Sequence, residues 1–249
     1  GHRAGEVAAE IAVEIISQAV ASSDGSRPLA LLEQAFAQAN QAIYNRSLAD
    51  PAWQGMSTTC VCAWVIGDRL YIASVGDSRI YLIRKQDIHQ LTTDHTWVQE
   101  ALESGALTPE QARNHPNAHI IRRHLGSPQP LQLDLRLRLE PNEPDDQAEA
   151  NQGLRLQSGD RLLLCSDGLT DLVSAGEIQE AFEKLGLEAA LQGLLELANA
   201  RGGHDNITLI GAQFVQEKAP ARKPATRRRF IFWLGLGLAT LLAVAAMLL

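Results

Sequence analysis

Several aspartates stand beside glycine or asparagine where an apolar run ends. Asp77 lies in Gly76-Asp77-Ser78, Asp167 in Ser166-Asp167-Gly168, Asp205 in His204-Asp205-Asn206 and Asp94 in Thr92-Thr93-Asp94-His95. Carboxylates at strand ends can converge on one rim of a sheet and hold hard divalent cations, which prefer oxygen donors. The same dipeptides also form turns, and for any one aspartate taken alone turn chemistry is the stronger reading. Asp77 and Arg79 read as a turn with a structural ion pair. His95, His115, His119 and His124 lack metal-ligand spacing and read as structural residues or parts of a loop. Three cysteines, Cys60, Cys62 and Cys165, are too few for a disulfide framework. Cys60 and Cys62 share one face of a strand pattern, as buried free thiols in a reduced compartment would. Gly202-Gly203 terminates a helix; no glycine-rich nucleotide loop is present.

The elements that must position these residues are read from period. Residues 6–21 place Val7, Ile11 and Ile15 on one helical stripe, and residues 29–45 do the same with Leu32, Phe36, Ala39 and Ile43 behind Pro28. The period then changes to strand. Thr58–Ile66 and Arg69–Val75 flank a tight Gly67-Asp68 turn, with further strands over 78–84 and 88–91. Residues 96–113 are more helical, with a second start at Thr108-Pro109-Glu110. Residues 131–139 alternate Leu with polar residues, the pattern of a half-buried antiparallel strand, and 140–152 read as a solvated acidic loop. Arg161–Cys165 is a strand, 174–185 and Leu187–Ala200 are helices, and 206–215 closes the domain as a strand. That order predicts an α+β fold with layered antiparallel sheets.

The chain has 249 residues and a net charge of −7. Its basic residues are unevenly placed. Lys218, Arg222, Lys223, Arg227, Arg228 and Arg229 follow Glu217, and no acidic residue does, so residues 1–215 are more acidic than the whole. An acidic body argues against nucleic acid as a partner. Residues 216–229 form a basic Pro/Ala-rich linker, and residues 230–249 carry no charge. A helix of that length spans about 30 Å, the hydrocarbon thickness of a bilayer. The arginines before it predict a single-pass membrane segment with the domain of residues 1–215 on the cytoplasmic side.

Taken together, the motifs carry more than each does singly. In order they are Gly1-His2-Arg3-Ala4-Gly5-Glu6, Met56-Ser57-Thr58-Thr59, Val75-Gly76-Asp77-Ser78-Arg79, Leu91-Thr92-Thr93-Asp94-His95, Leu164-Cys165-Ser166-Asp167-Gly168-Leu169-Thr170-Asp171 and Gly203-His204-Asp205-Asn206-Ile207-Thr208. This series resembles the bacterial branch of the metal-dependent Ser/Thr protein phosphatases (type 2C) over residues 1 to about 215. The resemblance implies a two-sheet antiparallel β-sandwich flanked by helices on both faces. It also implies two core Mn²⁺ or Mg²⁺ ions bridging a water that attacks phosphorus in line. Asp167 and Asp205 then correspond to core metal ligands, Asp94 to a carboxylate of a third, weaker ion, and residues 97–118 to the flap beside the cleft. The partners implied are phosphoproteins, Ser/Thr kinases and the targets of those kinases.

The chain departs from the family pattern at its start, where Gly1 matches the last glycine of a metal-binding stretch whose aspartate stands upstream. The family's phosphate-gripping arginine and N-terminal metal-binding acids are not among residues 1–249. An N-terminally truncated domain is therefore expected, with its first strands missing, an unpaired sheet edge and little activity. His2 does not match the family's general-acid spacing and reads as a surface or packing residue. Two rival readings stay open: a membrane-anchored, non-catalytic binding module of the same fold, and a metal-dependent hydrolase of small phosphate esters.

Overall fold

In the computed structural model, the described residues are 4–112, 115–216 and, for the backbone, 240–248. The first helices are α1 (Gly5–Ala21) and α2 (Pro28–Ala49), followed by a 3₁₀ turn at Pro51–Trp53. Pro28 opens α2, where its missing N–H costs nothing. Strands β1 (Thr58–Ile66) and β2 (Arg69–Val75) form a hairpin, and Gly67 takes the positive φ of 63° that the two-residue turn requires. Next come β3 (Arg79–Arg84), β4 (Asp87–Gln90), and the short helices α3 (Trp97–Glu103), α4 (Pro109–Ala112) and α5 (Asp145–Ala150). The remainder is β5 (Leu154–Arg155), β6 (Arg161–Cys165), α6 (Asp167–Thr170), α7 (Ala175–Lys184), α8 (Leu187–Ala200), β7 (Leu209–Gln213) and β8 (Thr240–Leu248).

Two antiparallel sheets result, ordered β5-β2-β1-β8 and β4-β3-β6-β7. Strand alternation sorts the core into three layers. Cys60, Cys62 and Trp64 of β1 face α1 and α2, packing with Ile16, Phe36 and Ile43. Val61, Ala63 and Val65 point the other way, against Ile80, Leu82, Leu162 and Leu164 between the sheets. Tyr81, Ile83, Leu163 and Cys165 cover the outer face, under Ile178, Phe182, Ala190 and Leu194 of α7 and α8. The sandwich with helices on both faces is the predicted architecture. All three cysteines are buried and free, and burial pushes the Cys62 and Cys165 thiols up to about 12. They are packing residues.

Two local expectations differ. Residues 131–139 form no strand, and their burial does not follow the alternation, since Asp134 is buried between the half-buried Leu133 and Leu135. The segment bridges β2 only at Ser74 and Asp134. Beyond that point the Gln152 carboxamide intervenes, accepting from Ile72 N–H and donating to the Ile72 and Leu135 carbonyls, so a side chain replaces ladder bonds. The acidic loop 140–152 contains α5, with Glu143 and Ala148 buried. Residues 96–113 form α3 and α4, the second starting at Pro109 as the Thr108-Pro109-Glu110 run predicts; Arg113 lies outside the described residues, as do Gly1 and His2.

The membrane helix expected over 230–249 is not what its described part forms. Residues 240–248 are β8, antiparallel to β1 from Thr58↔Leu248 to Ile66↔Thr240, while 230–239 and 249 lie outside the described residues. β1 is buried along nearly its whole length and pairs with β2 on one side only, so a charge-free extended run satisfies its other edge. The open edge expected there is thus covered. Among the described residues, no helix is long and apolar enough to cross a membrane.

Candidate active site

The register of the second sheet brings the chemistry to one end. Arg79 pairs with Cys165, and Cys165 with Leu209, so three strand ends share one rung. Just beyond that rung come Asp77 before β3, Ser166-Asp167 after β6 and Asp205-Asn206 before β7. Asp94 follows β4 on the same rim. The Ser166 hydroxyl pins two of these loops, donating to the Asn206 carbonyl and accepting from the Thr208 N–H, both at 3.0 Å. Gly168 completes the junction: a Cβ there would lie 2.5 Å from the Asn206 carbonyl oxygen. Only glycine lets the Asp167 and Asp205 loops approach so closely.

The other sheet braces the Asp77 loop. Thr59 and Ser78 hydroxyls meet at 2.8 Å in the interior. Gly76 has φ 103°, and a Cβ on it would lie 2.2 Å from Thr59 Cγ2. The Gly76 N–H donates to His95 Nδ1 at 2.9 Å, and the His95 N–H returns to the Gly76 carbonyl. With Nδ1 accepting, the ring proton sits on Nε2 and is donated to Asp134 Oδ2 at 3.1 Å. Arg136 grips the same carboxylate through its backbone N–H and guanidinium. Burial works to raise Asp134, but His95 and Arg136 overcome it and hold the carboxyl far below the usual carboxylate range. His95 is structural, as its lack of metal spacing suggested; its partner Asp134 gave no signal beyond alternation.

The cleft at this rim has a volume of about 350 Å³ and is lined by Asp77, Arg79, Asp94, His119, Asp167 and Asp171 among others. Arg79 is paired with Asp94, not Asp77: Nε and Nη2 reach both oxygens at 2.6–3.1 Å, and Nη1 donates to the Tyr81 hydroxyl at 3.2 Å. Burial, then Asp167 and Asp94, push the Asp77 carboxyl up to about 7. Burial, then Asp171 and Asp205, raise Asp167. Asp167 uses Oδ1 to accept its own Gly168 N–H at 2.8 Å, and Asp205 does likewise with Asn206 at 2.7 Å. At the mouth, His119 Nδ1 stands 3.5 Å from Asp171 Oδ2. The flap expected at 97–118 borders this cleft, held by Trp97 stacked on His115 at 4.7 Å and by the Trp97 N–H to the Ile120 carbonyl.

Of the predicted metal ligands, Asp167 and Asp205 are brought within electrostatic reach of each other, whereas Asp94 is occupied by Arg79. Among the described residues, no three His, Cys, Asp or Glu side chains are grouped as a ready metal centre. The donor chemistry nonetheless fits a divalent cation: carboxylate oxygens raised first by burial and then by one another. Asp77 and Asp171 were missed as cleft residues. Asp171 was legible in principle, one helical turn after Asp167 and so on the same face.

A sequence model of the family described as Protein phosphatase 2C matches residues 1–101. The chain is 36% identical over 215 residues to the serine/threonine protein phosphatase PstP of Mycobacterium tuberculosis, covering 86% of this chain but only 38% of that protein's length. It is 36% identical over 224 residues to the protein phosphatase PhpP of Streptococcus pneumoniae, covering 88% of this chain and 84% of that one. Among solved structures, the catalytic domain of the serine/threonine protein phosphatase PstP in complex with two manganese ions superposes with a TM-score of 0.70 at 34% identity, covering 87% of this chain and 84% of the other. The motif series, the paired sheets and these relatives converge: the chain belongs to the protein phosphatase 2C family.

Proposed function

We propose that the protein is a metal-dependent protein phosphatase that hydrolyses phosphoserine and phosphothreonine. The observation that carries this reading is the convergence of Asp77, Asp94, Asp167, Asp171 and Asp205 at one end of the sandwich, with Arg79 the only fixed guanidinium among the cleft-lining residues described. Asp167 and Asp205 hold the core Mn²⁺ or Mg²⁺, each with one carboxylate oxygen not used by its neighbouring N–H. Bound divalent ions supply Lewis-acid charge at the phosphoryl group and acidify water. Asp94 serves a third ion only by giving up Arg79. Without cations, Asp77 holds a proton up to about pH 7. Gly168 and Ser166 keep the two metal loops in register.

Calorimetric titration with Mn²⁺ tests the ligands without relying on turnover. Asp205→Asn is expected to weaken binding at least about tenfold, and unchanged affinity would remove Asp205 from the set. In the full-length protein, phosphate release from phosphoserine and phosphothreonine peptides should require Mn²⁺ and fail in the same variant. Binding of metal and phosphopeptide with no release would favour the non-catalytic module.

The natural antagonists of such an enzyme are Ser/Thr kinases. We further propose single-pass membrane attachment through residues 230–249, supported by their lack of charge and by Arg227, Arg228 and Arg229 before them. Pairing with β1 uses the same residues, so one molecule cannot do both. Extraction of membranes with alkaline carbonate decides: release into the supernatant would exclude the span.

A further inference from the structure

A larger cavity, about 1200 Å³, opens beside the cleft between β4, the α3–α4 segment and residues 138–145. It shares Asp94, Gln99, Leu102 and Pro109 with the cleft, so the two form one trough. One wall is β4, the terminal strand of its sheet, with no strand on its outer side among the described residues. β4 runs from Asp87, at the far end of the sandwich, toward Asp94 at the cleft, a path of extended backbone that leads to the reacting centre.

The charge along this path is one-sided. Asp87, Glu103 and Glu140 line it, are exposed and enter no ion pair with a described residue. The lining's one arginine, Arg138, is already committed to Asp145, the Glu143 carbonyl and the Thr93 hydroxyl. His89 is tied through Nδ1 to the Leu139 carbonyl at 2.7 Å. The wall therefore offers a strand edge with no neighbouring strand among the described residues to an extended chain, and negative charge to its side chains; just past β4 the Leu91 carbonyl is taken by the Arg138 N–H.

We propose that this trough seats the polypeptide flanking the phosphorylated residue, extended along β4, and selects substrates with Lys or Arg on that side. The proposal rests on the phosphatase reading and adds to it the substrate class. Acidic flanks meet like charge and are rejected.

The test uses the full-length protein with Mn²⁺ and phosphoserine peptides carrying two Arg, two Ala or two Glu on one side of the phosphoserine. Anisotropy should show the Arg peptide binding about tenfold tighter than the Glu peptide, with the gap closing at high salt. The double variant Asp87→Asn, Glu140→Gln should lose that preference, leaving the Ala peptide and p-nitrophenyl phosphate turnover unchanged. Equal affinities, or a preference untouched by the double variant, would overturn the groove while p-nitrophenyl phosphate hydrolysis upheld the phosphatase. Selection for Arg without any hydrolysis would keep the groove and reject the enzyme.

Discussion

Asp77 and Asp134 are almost equally hidden from water, at 6% and 5% exposure, and both stand beside the loop that carries Asp94 and His95. Their surroundings differ in one respect. Asp134 meets His95 and Arg136, and Arg136 and Arg138 meet Asp145, so each charge in that centre has a partner. Asp77 meets Asp167 and Asp94, and the nearby guanidinium is already held by Asp94. The same residue type is pulled below its usual pKa in one place and pushed above it in the other. Burial alone thus does not mark function. A buried carboxylate that folding leaves short of positive charge is the candidate for it.

The comparison breaks most sharply at the metal end. In the full-length protein, Asp167→Asn should lower Mn²⁺-dependent hydrolysis on the order of a thousandfold, by removing a ligand from ions that stabilise transition-state charge. The fold should stay intact or gain stability in the absence of metal, because a repelling charge is gone. Steady-state kinetics and thermal melts check both halves, and an unfolded variant would place Asp167 with Asp134 as a structural aspartate.

At the compensated centre the expectation is reversed. Arg136→Met leaves Asp134 buried with His95 alone and should cost about 3 kcal/mol of stability, read by urea denaturation, with no loss of Mn²⁺ affinity. Gly168→Ala lies between the two extremes. Its Cβ must displace the Asn206 backbone, at about 1–3 kcal/mol, and separate the Asp167 and Asp205 loops, so stability and Mn²⁺ affinity should fall together.

The smallest effects are in pH. Asp134 is depressed in the folded state, so its contribution is present above the unfolded carboxylate value, near 3.9, and is lost as pH falls through the folded one. Asp77 is raised to about 7, so the metal-free protein should lose stability as pH climbs from about 4 to 7. Asp77→Asn should flatten that slope and leave the acid limb in place. Melts across pH 3–8 in chelator separate the two; an unchanged slope in the variant would mean that Asp77 is not the group responsible.

Much of this was written in the local sequence. Thr58–Ile66 and Arg161–Cys165 were legible as apolar strands, and a strand presents successive side chains to opposite faces, but both faces are buried in each, so their composition does not say which face meets which layer. The motif series put Asp167 and Asp205 at strand ends, and Gly168 beside Asp167 is required by its close approach to the Asn206 carbonyl. Where a side chain took over the work of the backbone, the pattern misled: residues 131–139 look like a strand, but the Gln152 carboxamide occupies the ladder. The charge-free run ending at Leu249 satisfies a bilayer or a sheet edge equally well by composition.

What the sequence determined by itself was local: strand faces, turn glycines, and which aspartates end which strands. Partnership was decided only by tertiary structure. Arg79 is two residues from Asp77 and fifteen from Asp94, yet it pairs with Asp94. The pairing of β3 with β4 and β6 sets which side chains share a rim, and no spacing along one strand encodes it. An electrostatic deficit is a property of that rim as a whole, so it became visible only once four strand ends were brought together.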